Sequence, residues 1–166
     1  IEEGYSETAL TMFYYNEFPD CGDIIAQEKI IIEKEDYIKN ILDKVDSASK
    51  KLMSEYFPLL IENKAPRLPQ NINQGNVRKL RTDNNSAIDW NNEPQEIYNK
   101  VRAVSKPYPG AIGKINNNLY RIWKIVPWII VDSLKNAPSG DHIIENGLPI
   151  IKCRNNCIKI LEYDKL

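Results

Sequence analysis

Two carboxylates stand three residues apart around a glycine in "FPDCGDIIAQ", residues 18–27, and the chain runs straight from them into an apolar stretch. A carboxylate presented on a turn can orient an imidazole, raise its basicity and so help move a proton off an attacking group. The same residue type also builds ordinary turns, because an Asp side chain accepts hydrogen bonds from the backbone that follows it. From local sequence, Asp20 and Asp23 therefore read either as turn residues or as one half of an acid–base site. Partners for such a site are scarce. The chain has one histidine, His142, far away in a different segment, where it reads as an ordinary loop or strand-end residue. It has three cysteines, Cys21, Cys153 and Cys157. Cys21 has no histidine beside it to generate a thiolate and reads as a small packed side chain. Cys153 and Cys157 flank "RNN" and can face each other across a hairpin, but an odd count is no disulfide framework. With a single distant histidine a zinc site is unsupported, so no metal is implied, and the thiols read as reduced in a cytoplasmic protein.

The elements that must position these residues follow from periodicity. "TALTMFYY" (8–15) and "DIIAQEKIII" (23–32) are rich in strand formers, and the "NEFPDCGD" between them has the composition of a tight, irregular connection. Asp20 thus lies on a loop between two strands, or at a strand's edge. Ile38, Ile41, Leu42, Val45, Ala48, Leu52 and Tyr56 then recur at helical spacing, with Glu35 and Asp36 placing negative charge at the helix N-terminus. Pro58 falls inside that pattern and predicts a kink or break. From Lys64 to Ser86 the periodicity is lost among prolines and amides, which predicts an extended linker holding the basic residues Lys64, Arg67, Arg78, Lys79 and Arg81. A second helix is predicted in "NNEPQEIYNKVRAV", capped by Asn91 or Asn92, with Ile97, Val101 and Val104 as its apolar face. "SKPYPG" ends it, and the alternation in "LYRIWKIV", "IIKC" and "CIKILEY" predicts a compact β-barrel-like unit.

The bulk numbers exclude some functions. A formal net charge of −1 over 166 residues provides no general electrostatic grip on nucleic acid or anionic membrane. No run of eighteen apolar residues occurs, and the most apolar cluster, "YRIWKIVPWIIV", is interrupted by Arg121, Lys124 and Pro127. Tyr98, Tyr108, Tyr120, Trp123 and Trp128 can stack a nucleobase, but each singly reads as core packing.

Three segments in order resemble the enzymes that transfer a formyl group from 10-formyltetrahydrofolate to an amine: "ETALTMFYYNEFPDCGDIIAQ", "RTDNNSAIDWNNEPQEIYNKVRAV" and "PYPGA". The resemblance spans roughly residues 4 to 162. It implies an α/β fold: residues 1–64 as the C-terminal part of a Rossmann-like formyltransferase domain, 65–86 as a linker and 87–166 as a small β-rich, OB-like domain. It also implies that a nucleotide-fold segment carrying an Asn-x-His motif precedes the point where this sequence starts. In the family, the first Asp of an Asp-x-Gly-Asp loop works beside that histidine; by motif position this is Asp20, with Gly22 turning the backbone at positive φ and Asp23 structural. The loop before it, Asn16, Glu17, Phe18, Pro19 and Asp20, is the stretch that the resemblance places against the folate, although Pro19 removes one backbone donor. The implied co-substrate is 10-formyltetrahydrofolate, and the implied acceptor is a nucleotide-linked amino sugar. Methionyl transfer RNA is the second choice, and a non-catalytic binding module the third. A homodimer is compatible with this reading, and no membrane partner is expected.

Overall fold

The computed structural model describes residues 1–71, 75 and 86–166, and places them in two compact units. Arg78, Lys79 and Arg81, three of the basic residues of the expected linker, lie outside the described residues.

One unit comprises Ser6–Lys34 and Asn40–Leu80. Strand β1 (Glu7–Phe13) pairs antiparallel with β2 (Ile24–Ile31), in a register running from Glu7↔Ile31 to Met12↔Ala26 and then shifting to Phe13↔Ile24. The shift leaves Ile25 as an extra residue, a bulge at the mouth of the connecting loop. Helix α1 (Ile38–Ile61) buries Ile41, Ala48 and Leu52, the centre of the apolar face expected from spacing. Lys51 pairs with Glu28 of β2 at 2.8 Å, and the Lys44 ammonium donates to the Ile31 carbonyl at 2.9 Å.

Two expectations fail at the ends of this helix. Pro58 does not break it: α1 continues to Ile61. Pro58 is exposed and lies in the last turn, so the carbonyl deprived of its donor faces water and only one rung of the ladder is lost. Glu35 and Asp36 precede the first turn, which starts at Ile38 and holds no acid.

The other unit comprises Ile1–Tyr5, Glu35–Lys39 and Arg81–Leu166. Its helix α2 (Pro94–Val104) is capped by Glu93, whose backbone N–H donates to the Glu96 carboxylate at 3.2 Å. The cap thus falls beyond the expected Asn91 or Asn92. Asp89 takes both the backbone N–H and the side-chain amide of Asn91, each at 2.9 Å, which commits that asparagine to the preceding turn. Five antiparallel strands follow: β3 (Ala111–Ile115), β4 (Asn118–Trp128), β5 (His142–Glu145), β6 (Leu148–Lys152) and β7 (Cys157–Lys165), in the order β3-β4-β7-β6-β5. Asn116–Asn117 and Asn146–Gly147 turn the hairpins with positive φ at both positions, as two-residue primed turns demand. Ile97, Val101 and Val104 of α2 pack on Ile122, Ile125, Ile151, Ile158 and Ile160, all buried.

The motif residues of this unit are packing devices. The Trp90 indole donates to the Lys114 carbonyl at 2.9 Å, and its ring, with Ile122 Cδ1, fills the space that a side chain at position 113 would need. Arg102 is buried; its guanidinium donates to the Asp36 carbonyl at 2.8 Å and to Asn99 Oδ1 at 2.7 Å. The aromatic residues are similarly occupied. Tyr98 meets Tyr37 edge to face, Tyr120 meets Tyr163, Trp123 donates to Asp164 and Trp128 lies under Lys159; Tyr108 alone of those named stays exposed. Cys153 and Cys157 do not face each other: both are free and fully buried, and each packs into a different apolar cluster. Burial pushes the Cys153 thiol up to about 12, which leaves it unreactive. No helix among the described residues is long and apolar enough to cross a membrane.

Tyr37 closes a gap in the sheet. Strand β3 stops pairing with β4 at Ile122, and beyond that point the Tyr37 hydroxyl donates to the Ile125 carbonyl at 3.2 Å and accepts its N–H at 3.3 Å. Burial raises the phenol to about 12. Replacing Tyr37→Phe leaves both backbone groups without a partner, and should lower the stability measured by chemical denaturation by about 1–3 kcal/mol. The native pKa lies above the unfolded value near 10, so the contribution of Tyr37 is complete below pH 10 and is lost as pH rises towards 12. A melting-temperature series across that window should therefore fall more steeply for the native protein than for Tyr37→Phe; parallel curves would count against it.

Candidate functional site

The loop between β1 and β2 holds every residue that the sequence singles out for chemistry, except for the partners that it lacks. Its closure depends on a backbone contact. The Tyr14 N–H donates to the Asp23 carbonyl at 2.9 Å, bringing the two strand ends together. A Cβ on residue 22 would stand 1.5 Å from the Tyr14 carbonyl oxygen, so residue 22 must be glycine for want of room. The expectation of positive φ at Gly22 is not met. The left-handed residue is Asp20, with φ of 56°. That conformation costs an L-residue about 1–2 kcal/mol, and Asp is among the few that adopt it, through local hydrogen bonding of a short polar side chain.

Within the loop, Asn16 Oδ1 accepts the Phe18 N–H at 3.0 Å, and the Phe18 carbonyl accepts the Cys21 N–H at 3.4 Å. Pro19 has no N–H to offer. Residues 15 to 20 are exposed, with Tyr15 98% and Phe18 67% accessible, so an aromatic ring and a carboxylate are displayed on one short turn. The Asp20 carboxylate makes no hydrogen bond or ion pair with any described residue; only its backbone carbonyl is engaged. Asp23 differs. Its carbonyl holds Tyr14, and its carboxylate lies 3.5 Å from the Arg67 guanidinium, a structural role in keeping with the sequence reading.

A strap formed by Ala65 to Gln70, the start of the stretch that reads as linker, lies along this loop. Leu68 and Ile24 exchange backbone hydrogen bonds at 2.8 and 3.0 Å. The Arg67 guanidinium stacks 3.6 Å over the Tyr14 ring, whose hydroxyl donates to the Ala65 carbonyl at 3.4 Å. Gln70 Nε2 donates to the carbonyls of Gly22 at 2.5 Å and Asp20 at 3.1 Å. Sequence reasoning missed Gln70 altogether and saw Arg67 only as linker charge, since nothing in a stretch without periodicity marks a residue that folds back over 48 positions.

Other features lie apart from this loop. His142 opens β5 and sits opposite Ile151, a strand-end residue as expected. The wide groove between β2 and α1, about 590 Å³, is lined by Glu28, Lys29, Glu33, Asp43, Lys44 and Lys51 rather than by the loop. Chemically, the loop is a closed turn on which the carboxylates of Glu17 and Asp20 make no hydrogen bond or ion pair with any described residue, Asp20 being the one at the left-handed position. It can orient or charge-stabilise a base brought to it, and with Phe18 it offers a flat apolar contact.

Comparison with known proteins gives this arrangement a family. The model of the formyl transferase C-terminal domain family matches residues 81–165. A methionyl-tRNA formyltransferase of Geobacillus thermodenitrificans is 30% identical over 164 residues, which is 98% of this chain and 50% of that protein; the chain spans about half the length of the curated relatives it matches. Among solved structures, HypX from Aquifex aeolicus in complex with tetrahydrofolic acid shares the fold with a TM-score of 0.76 at 17% identity, over 99% of this chain and 28% of that one. An N-formyltransferase from Helicobacter canadensis, in complex with folinic acid and dTDP-3-aminofucose, does so with a TM-score of 0.65 at 18% identity, over 99% and 58% respectively. Through a domain match that takes in more than half of its residues, the chain belongs to the formyl transferase family.

Proposed function

We propose that the protein carrying this chain transfers a formyl group from 10-formyltetrahydrofolate to an amine, with Asp20 as a catalytic carboxylate. The observation that carries this reading is the Asp20 loop, a rigidly closed turn whose carboxylate has no structural employment, on a chain of the formyl transferase family. Formyl transfer needs a neutral acceptor amine, stabilisation of the tetrahedral oxyanion and removal of a proton from the attacking nitrogen. A carboxylate beside an imidazole meets the last need by raising its basicity and fixing its tautomer. The only histidine of these residues, His142, belongs to the other unit, so the imidazole partner is assigned to sequence outside residues 1–166.

The loop residues are compatible with a folate. Phe18 offers an exposed ring to a flat heterocycle, and Glu17 and Asp20 retain the backbone donors that Phe18, Pro19 and Cys21 cannot supply. Asn16, through its bond to Phe18, shapes that edge rather than touching the ligand. When bound, 10-formyltetrahydrofolate would supply the formyl carbon. The residues preceding 65 are read as the closing part of a Rossmann-like domain, and residues 87–166 as an OB-like module reached through a linker over 65–86.

For the acceptor we favour a nucleotide-linked amino sugar. Four cations of the β-rich unit are paired in place among the described residues: Lys106 with Glu162, Lys159 with Glu145, Arg154 with Glu93 and Lys135 with Asp132. The other Lys and Arg residues of this unit are interspersed with acids, which leaves only a weak positive excess to release counterions from a polyanion. Methionyl transfer RNA is the second reading, supported by the named activity of the curated relatives that run the length of the chain.

Two measurements test these statements. Asp20→Asn keeps a residue that tolerates the left-handed turn and removes only the charge; it should lower the formyl-transfer rate about 100- to 10,000-fold while leaving the melting temperature nearly unchanged. Undiminished transfer would return Asp20 to turn chemistry, and absence of transfer by the unaltered protein would leave the chain as a binding module. A thermal-shift comparison should show stabilisation by a dTDP-linked amino sugar and not by initiator transfer RNA; the reverse would establish the second reading.

A further inference from the structure

The Asp20 loop raises a question that family membership leaves open: what holds a non-glycine residue in the left-handed region, on an exposed turn, with its side chain unengaged? Part of the answer is local: the Cys21 N–H on the Phe18 carbonyl closes a turn with Pro19 and Asp20 at its centre, and a positive φ at the second central residue belongs to such a turn. At 3.4 Å that bond is long, and a second contact comes from the strap. A primary amide has two N–H bonds on one nitrogen, and in Gln70 that nitrogen serves two carbonyl oxygens, those of Asp20 and Gly22. The carbonyls of residues 20 and 22 thus converge on a single donor group, and the amide braces the backbone just where the turn leaves Asp20. The strap is itself anchored on either side of this contact. Arg67 stacks on Tyr14 and reaches Asp23, and Leu68 is hydrogen-bonded in both directions to Ile24.

We propose that Gln70 is a positioning residue. Its side-chain amide clamps the Asp20 and Gly22 carbonyls and so sets the direction in which the Asp20 carboxylate is presented, with Arg67 and Leu68 holding the clamp in place. The kinetic part of the proposal rests on the reading of Asp20 as the catalytic carboxylate; the structural part, that Gln70 orders residues 20–23, does not.

The test uses the full-length protein that carries this chain. Gln70→Glu keeps the size of the side chain but sets acceptor oxygens against two carbonyls, and Gln70→Ala removes the contact. Both should quicken amide hydrogen exchange at residues 20–23 while leaving β1 and α1 protected. Both should also lower kcat for formyl transfer from 10-formyltetrahydrofolate by about 10- to 100-fold with little change in acceptor KM, the loss expected of a misdirected catalytic group. Added to Asp20→Asn, Gln70→Ala should cause almost no further loss, because it acts through a group already removed. Unchanged exchange at residues 20–23 overturns the clamp, whatever the activity. Faster exchange with unchanged kcat, or a loss that adds in full to that of Asp20→Asn, overturns the positioning role. If Asp20→Asn is fully active, the proposed reaction chemistry fails by itself, and the exchange measurement still decides whether the clamp exists.

Discussion

A backbone oxygen in the wrong place for any side chain governs the shape of the loop between β1 and β2. The Tyr14 carbonyl occupies the position of a Cβ at residue 22, and that approach closes the loop between β1 and β2 with the Tyr14 N–H on the Asp23 carbonyl. A side chain at residue 22 would force the two strand ends apart. Everything at the candidate site follows from the closure: the bulge at Ile25 absorbs the offset in register, the residues between are confined to a short exposed arc, and Asp20 is left at its turning point. Glycine serves here by absence of volume, whereas the positive φ that glycine usually supplies is carried by the aspartate.

The same loop shows how a small unit can hold a non-glycine residue in the left-handed region. The αβ-type packing of β1, β2 and α1 buries only a modest apolar face, centred on Ile25, Ile30, Ile41, Ala48 and Leu52. The loop is held instead by directional contacts from a strap that sequence reading treats as linker. Hydrogen bonds and a stacked guanidinium restrict direction more tightly than apolar contact does, which suits a group whose orientation matters more than its depth.

In the β-rich unit the physical emphasis is different. Isoleucine and valine from α2 and four strands make the main core, and the polar groups beside it, Arg102, Asn99 and the Tyr37 hydroxyl, are each engaged with backbone or with one another. The Asp-Trp and Arg-Ala stretches that carry the resemblance to formyl transferases are thus a signature of how this domain is folded: Trp90 fills the space over Gly113, and Arg102 ties the Asp36 segment to α2.

The resemblance of three ordered motifs pointed to the family, while periodicity and turn chemistry placed both helices and their apolar faces, β1, β2, β4, β6, β7 and the loop on which Asp20 sits, leaving β3 and β5 unmarked. These are properties of short windows, in which hydrophobic spacing and turn residues act locally. Tertiary structure decided the rest. Pro58 is tolerated because it falls in an exposed last turn; the α2 cap moves to Glu93 because Asp89 has claimed Asn91; Cys153 and Cys157 part company because alternate sheet positions feed different cores. Above all, the return of Arg67 and Gln70 across some fifty residues to grip Tyr14, Asp20 and Gly22 leaves no local trace, since a long-range contact is specified by the three-dimensional meeting of two segments and by neither one's composition.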